Sequence, residues 1–371
     1  MPRGIEPAFM SDFGLDFRPV ADLMQVEALA GRFAGVALVA RGDQVLFEHA
    51  AGDALRWAKL PILRNTRFQL ASTGKLFTVV AIGQLIEQGR VALDDALTHW
   101  LPEHTARAGW AKVTVRHLLA HTSGFGSYWG AEFALRRTSL KSVQDYFALF
   151  QDTPLAFEPG SRFEYSNVAF ILLGAIVEQA SGQDYFAYVQ QHVFDPAGMV
   201  DSGFFEADED TPNLAVGYTF RTLPDSARGQ LSARTHTQLK PFKGNPAGDS
   251  VSTAPDLLRF AQALMAGRLL QRSTFDLFRQ PINVMPAPPG AKTLQRMGLG
   301  LITIDSTHGH PVGHNGGAAG TTTSLFMDPD SGLIAVLLAA VDQEECTPVS
   351  RALTAIWLHH DFNQSPNTKS R

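Results

Sequence analysis

Cysteine is nearly missing from this chain: Cys346 is the only one in 371 residues. An intramolecular disulfide is therefore excluded, and the chain alone cannot assemble a cysteine-based zinc site. Charge is also sparse. Charged residues make up 18%, with 31 basic against 36 acidic side chains and a formal net charge of -5. No Lys/Arg run tracks a phosphate backbone, so nucleic acid is not an expected partner. Long apolar runs are absent too. The stretch Leu333 to Val341 is too short to cross a bilayer and reads as a buried strand, so no membrane partner is expected. The first ten residues carry an early Glu6 and lack the continuous apolar core of a secretory signal. A soluble cytoplasmic protein is the expectation. Oligomeric state is open.

What is present is hydrophobic: 45% of residues, enough for a compact fold with a large core. Gly35 to Arg41 and Gln44 to His49 read as strands joined by a turn at Gly42-Asp43. Leu299 to Asp305, Thr322 to Met327 and Leu333 to Val341 read as strands near the other end, and Thr347 to His360 as a closing helix. Between them the pattern is helical. Leu76, Val79, Val80 and Ile86 mark one helix, Val168 to Ala180 another, and Thr253 with Pro255 opens a third. Gly89, Gly182 and Gly267 are natural stops. The expected fold is α+β: an antiparallel sheet built from both chain ends, flanked by helices, with an inserted helical lobe. The sheet lobe is expected at about 19–70 and 270–362 and the helix-rich lobe at about 71–269, together one catalytic unit over 19–362. Residues 1–18 form an N-terminal extension, 221–248 a long loop over the cleft, and 363–371 a frayed tail.

Three short segments carry chemistry. Ser72 and Lys75 are three apart at the start of an apolar helix, so their side chains share one face of its first turn. An alcohol is a poor nucleophile at neutral pH. An amine kept neutral by desolvation or by a neighbouring positive charge can take its proton. The same spacing also suits a capping serine with a solvent-facing lysine. Tyr165-Ser166-Asn167 follows a Pro/Gly turn and precedes a helix. It offers a phenol for proton transfer and an amide able to hold the lysine and a substrate carbonyl, or else a core-edge tyrosine and a helix cap. His314-Asn315-Gly316-Gly317 leads into a strand. Its glycines let an edge-strand N–H approach a ligand closely, and His314 either orients substrate or is structural.

In this order, the three segments resemble the serine β-lactamase and penicillin-binding-protein superfamily. The closer likeness is to its class C branch, with esterase, D-aminopeptidase and acyltransferase relatives. Val115 to Gly124, Glu158-Pro159-Gly160, Pro196 to Met199 and Gly248 to Asp256 add to the likeness, which covers about residues 25 to 360. The resemblance implies Ser72 as nucleophile and Lys75 and Tyr165 sharing acid and base roles. It implies substrate contacts from Asn167, His314, Asn315 and Gly316, and an oxyanion hole from the backbone N–H groups of Ser72 and Gly317. Histidine at 314 replaces the lysine that helps lactam-recognising members bind a carboxylate, and would be a weaker, titratable contact. An ester or small amide is thus the expected substrate. Acyl transfer, D-aminopeptidase, DD-peptidase or β-lactamase activity, and a catalytically silent binding protein are the alternatives.

Other signals are weaker. His117 and His121 are four apart, but Leu118 stands where a zinc protease has glutamate. The cluster His308, His310 and His314 reads as a loop entering a strand. No metal or cofactor is expected. Gly124-Phe125-Gly126 lacks the setting of a dinucleotide loop. Gly248-Asp249-Ser250-Val251-Ser252 ends in serine where a nucleophile elbow needs glycine, which disfavours an α/β-hydrolase.

Overall fold

A computed structural model describes residues 15–104, 107, 109–221, 234–235, 240–286, 294–306 and 309–358. Most of the expected loop at 221–248, and the tail, lie outside the described residues. Eight strands form one sheet: β1 (Gly35–Arg41), β2 (Gln44–Ala51), β3 (Asn283–Val284), β4 (Gln295–Met297), β5 (Ile302–Ile304), β6 (Val312–Ala318), β7 (Thr321–Asp328) and β8 (Leu333–Ala339). Their spatial order is β2-β1-β8-β7-β6-β5-β4-β3, antiparallel throughout. The two chain ends meet in mid-sheet, where Gly35 faces Ala339 and Arg41 faces Leu333. The sheet expected from both chain ends is thus the one observed.

Five helices cover the sheet or carry the site: α1 (Arg18–Leu29), α2 (Lys75–Glu87), α3 (Asn167–Ser181), α4 (Ala254–Met265) and α5 (Gln343–Leu358). Every residue of β8 is buried. A strand in that position needs cover on both faces, which is why its sequence is continuously apolar rather than alternating. Helix α4 packs on β1 and β8, while α1 packs on β2 and α5. Helix α2 buries ten of its thirteen residues, so it has almost no solvent face and acts as a core helix packed on α3. The expected punctuation holds. Gly182 ends α3 in the left-handed conformation (φ 74°), and the Thr253 side chain caps α4 by accepting from Asp256 N.

Three details differ from the sequence reading. The strand expected at 299–305 is only β5, Ile302–Ile304, because Gly300 (φ 76°) turns the chain between β4 and β5. Helix α5 starts at Gln343, four residues early. Its first turn is the polar run Gln343-Glu344-Glu345, which shows no apolar periodicity but suits a helix N-terminus. His314 to Gly317 lie within β6 instead of preceding a strand. Strand β5 pairs with β6 only at Val312 and Gly313, so beyond them β6 is laddered to β7 alone. That leaves one edge open, and the Ser72 turn packs along it.

Candidate active site

Ser72 sits in a single 3-10 turn, Ala71–Gly74, that runs directly into α2. The turn is pinned on both sides. Thr323 Oγ1 on β7 donates to Leu70 O (2.6 Å) and lies 2.9 Å from Thr73 Oγ1, while Asp249 N donates to Ala71 O (3.1 Å) and Leu70 N to Ser250 O (2.8 Å). Ala71 is held at φ 46°, a conformation that disfavours residues with a Cβ and is tolerated where surrounding contacts enforce it. Gly316 supplies the close approach on the sheet side: a Cβ there would collide with Leu70 O, Thr323 Oγ1 and Ser72 N.

Lys75 is fully buried. Its Nζ lies 3.2 Å from Ser72 Oγ and 2.8 Å from Asn167 Oδ1, and also contacts Ala247 O. Burial lowers its pKa from 10.5 to about 7, opposed by the charge of Asp249. Desolvation is therefore the operative device; no positive neighbour is needed. Two of the three partners are obligate acceptors. A neutral amine has two N–H groups and one lone pair, so donation to Asn167 Oδ1 and Ala247 O leaves the lone pair facing the Ser72 hydroxyl.

The Tyr165 segment is placed by its central residue. Ser166 caps α3 by accepting from Ala169 N (3.0 Å), donates its hydroxyl to Gly126 O (2.9 Å) and donates its backbone N–H to His121 Nδ1 (3.0 Å). With Ser166 turned away, its neighbours both face Lys75: Asn167 by hydrogen bond, Tyr165 with its ring centroid 5.0 Å from Nζ. Burial pushes the Tyr165 phenol well above its ordinary value, partly offset by Ser72. Its Oη is enclosed near Ser72 but makes no hydrogen bond of normal geometry among the described residues. The phenolate is thus not the resting base, and the hydroxyl is available to donate.

His121, a weak metal-ligand candidate by sequence, forms a wall of the site. Its ring stacks on Tyr165 (centroids 4.4 Å apart) and on Phe170 (5.2 Å), and burial and Lys75 hold it neutral. His117 serves the local backbone instead, its Nδ1 accepting from Thr114 N in a capping box. Among the described residues no group of three or more His, Cys, Asp and Glu is arranged to hold a metal. His314 is buried, donates Nδ1–H to Asn315 O (2.5 Å) and has its pKa lowered to about 3 by burial and Lys75. It is neutral across the physiological range, unlike the titratable contact expected from sequence.

A cavity of about 530 Å³ opens above Ser72, lined also by Asn167, Ala247 and Gly317. His314, Asn315 and Gly316 lie outside that lining. Tyr128, Trp129 and Phe133 form an apolar wall, and Arg137, Arg221, Lys240 and Asp249 bring charge. Sequence reasoning missed those four as site residues because each sits in a segment without periodicity. Asp249 lies within the segment Gly248 to Asp256 that contributed to the resemblance, and Arg221 and Lys240 within the loop expected over the cleft. No helix among the described residues is long and apolar enough to cross a membrane.

Comparison with known proteins fits this geometry. A penicillin-binding protein of Bacillus subtilis (strain 168) is 30% identical over 354 residues, covering 92% of this chain and 75% of its own. Esterase EstB of Burkholderia gladioli is 38% identical over 197 residues, 49% of each chain. The crystal structure of D-amino acid amidase from Ochrobactrum anthropi SV3 superposes with a TM-score of 0.76 at 27% identity, over 91% of this chain and 97% of that one. The family model described as Beta-lactamase matches residues 20–355, and the chain belongs to that family.

Proposed function

We propose that this protein is a serine hydrolase that forms an acyl-Ser72 intermediate on an ester or small amide. The observation that carries the reading is the Lys75 amine: buried, near neutral, with two acceptors engaging its N–H groups and Ser72 Oγ 3.2 Å from Nζ. In the first step Lys75 takes the hydroxyl proton as Oγ attacks the carbonyl carbon, and the carbonyl oxygen becomes an oxyanion held by the N–H groups of Ser72 and Gly317. Collapse expels the alcohol or amine, which receives the proton from Lys75 through the Tyr165 hydroxyl. Water then repeats the sequence on the acyl ester, returning acid and free Ser72. Asn167 orients both Lys75 and the substrate. The esterase and amidase relatives support the substrate class.

Intact mass after brief exposure to p-nitrophenyl butyrate should show one butyryl adduct on wild type and none on Ser72→Ala. Turnover by Ser72→Ala should fall by at least about a thousandfold. Wild-type rates in Ser72→Ala would remove Ser72 as the nucleophile.

A further inference from the structure

The charges around the cavity do not balance. Arg137, Arg221, Lys240 and Asp249 reach it from separate segments. Arg221 is already engaged by Glu344 (3.4 Å) and Asp342 (3.8 Å). Arg137 and Lys240 make no ion pair at contact distance with any carboxylate among the described residues, although the Arg137 guanidinium also donates to Ala134 O. They are neighbours by construction of the backbone: Phe242 N donates to Arg137 O (2.8 Å), tying the segment that begins at Lys240 to the turn that carries Arg137. Asp249 is the one carboxylate among the described residues that line the cavity, and its charge is shared between Lys240 and Lys75. Burial pulls Lys240 down to about 7. Lys240 is half-buried at the cavity, and an entering anion supplies the charged partner it does not have in contact there. The helical stretch that carries Arg137 also brings an apolar surface to the cavity, with the Trp129 and Phe133 rings 4.4 Å apart.

We propose that Arg137 and Lys240 form a subsite for a carboxylate carried by the substrate, so that the cavity selects esters or amides with an apolar body and one acidic end. The substrate class rests on the reading of Ser72 as nucleophile; the subsite itself does not. It also accounts for His314: with a neutral histidine on β6, the positive charge facing the substrate comes from another wall.

Two matched pairs test it. 4-Nitrophenyl hydrogen adipate against 4-nitrophenyl hexanoate puts the carboxylate on the acyl side. 4-Acetoxybenzoate against its methyl ester puts it on the leaving group. In one pair the acidic member should be preferred about tenfold in kcat/KM, mainly through KM, as expected for a charged hydrogen bond. That ratio should fall to about one in Arg137→Met/Lys240→Met, survive in part in Lys240→Arg, and rise in Asp249→Asn. Equal rates within both pairs, a preference that survives the double variant, or a preference for 4-nitrophenyl 6-aminohexanoate that Asp249→Asn abolishes would each overturn the proposal. Calorimetry of the adipate monoester and 4-acetoxybenzoate on Ser72→Ala reads the subsite without turnover. Binding of one of them that weakens about tenfold when Lys240→Met is added supports it; undetectable binding of both overturns it. Binding without wild-type turnover counts against the Ser72 chemistry alone. Circular dichroism checks each variant, and Lys240→Met alone serves if the double variant does not fold, its ratio expected to fall towards one.

Discussion

The pH profile of acylation is the sharpest test of the Lys75 arrangement. An unperturbed lysine at pH 7 is neutral in about one molecule in three thousand. With its pKa lowered from 10.5 to about 7, about half the molecules carry the free amine. The lowering corresponds to about 5 kcal/mol of desolvation cost against the ammonium, and it raises the population of competent base by about a thousandfold. Because the neutral form is the active one, kcat/KM for a neutral ester should rise with unit slope at low pH and level off above a midpoint near 7. The other groups facing Lys75 leave that window clear: His314 titrates near 3, His121 lies well below its ordinary value, and Tyr165 well above. Lys240, also near 7, and Asp249, raised by burial, are the confounders, and Lys240→Met should leave the midpoint in place. Asp249→Asn removes the charge that holds Lys75 up, so the midpoint should move to lower pH. The assay is initial-rate hydrolysis of p-nitrophenyl butyrate from pH 5 to 10, read at the isosbestic wavelength of nitrophenol. A midpoint near 10 would refute desolvation as the activating device, and a midpoint that follows Lys240 would refute Lys75 as its origin.

Two further outcomes follow from geometry. Tyr165→Phe removes an enclosed hydroxyl that makes no hydrogen bond of normal geometry among the described residues, so stability to urea should hold or rise while kcat falls about a hundredfold or more; unchanged kcat would remove Tyr165 from proton transfer. Gly316→Ala forces a methyl against Leu70 O, Thr323 Oγ1 and Ser72 N and should cost about 1–3 kcal/mol by chemical denaturation, with a loss of acylation. A variant as stable and active as wild type would show that the Ser72 turn does not need that approach.

The fold was legible where burial imposes a period. The apolar run of β8 and the largely apolar helices α2 and α3 are consequences of how completely they meet the core, and they read directly from sequence. Strand β6 did not read as a strand. Its glycines answer to the proximity of Ser72, a tertiary demand that local propensity does not contain. The same division runs through the site. Ser72, Lys75, Tyr165 and Asn167 stood out by spacing, and the structure brings them together around one amine. Ala247 contributes only a carbonyl oxygen, which any residue type can offer. The stacking of His121 beneath Tyr165 spans 44 positions of sequence, so its pairing had no local sign.

The bonds that hold the Ser72 turn to β7 join residues 250 and 253 positions apart, and β1 cannot complete its ladder before β8 exists. During synthesis Ser72 and Lys75 leave the ribosome about 250 residues before the strand that sets their geometry. Contacts this distant in sequence form slowly, after a large loop has closed. Acylating power should therefore appear only once β7 has folded against the Ser72 turn.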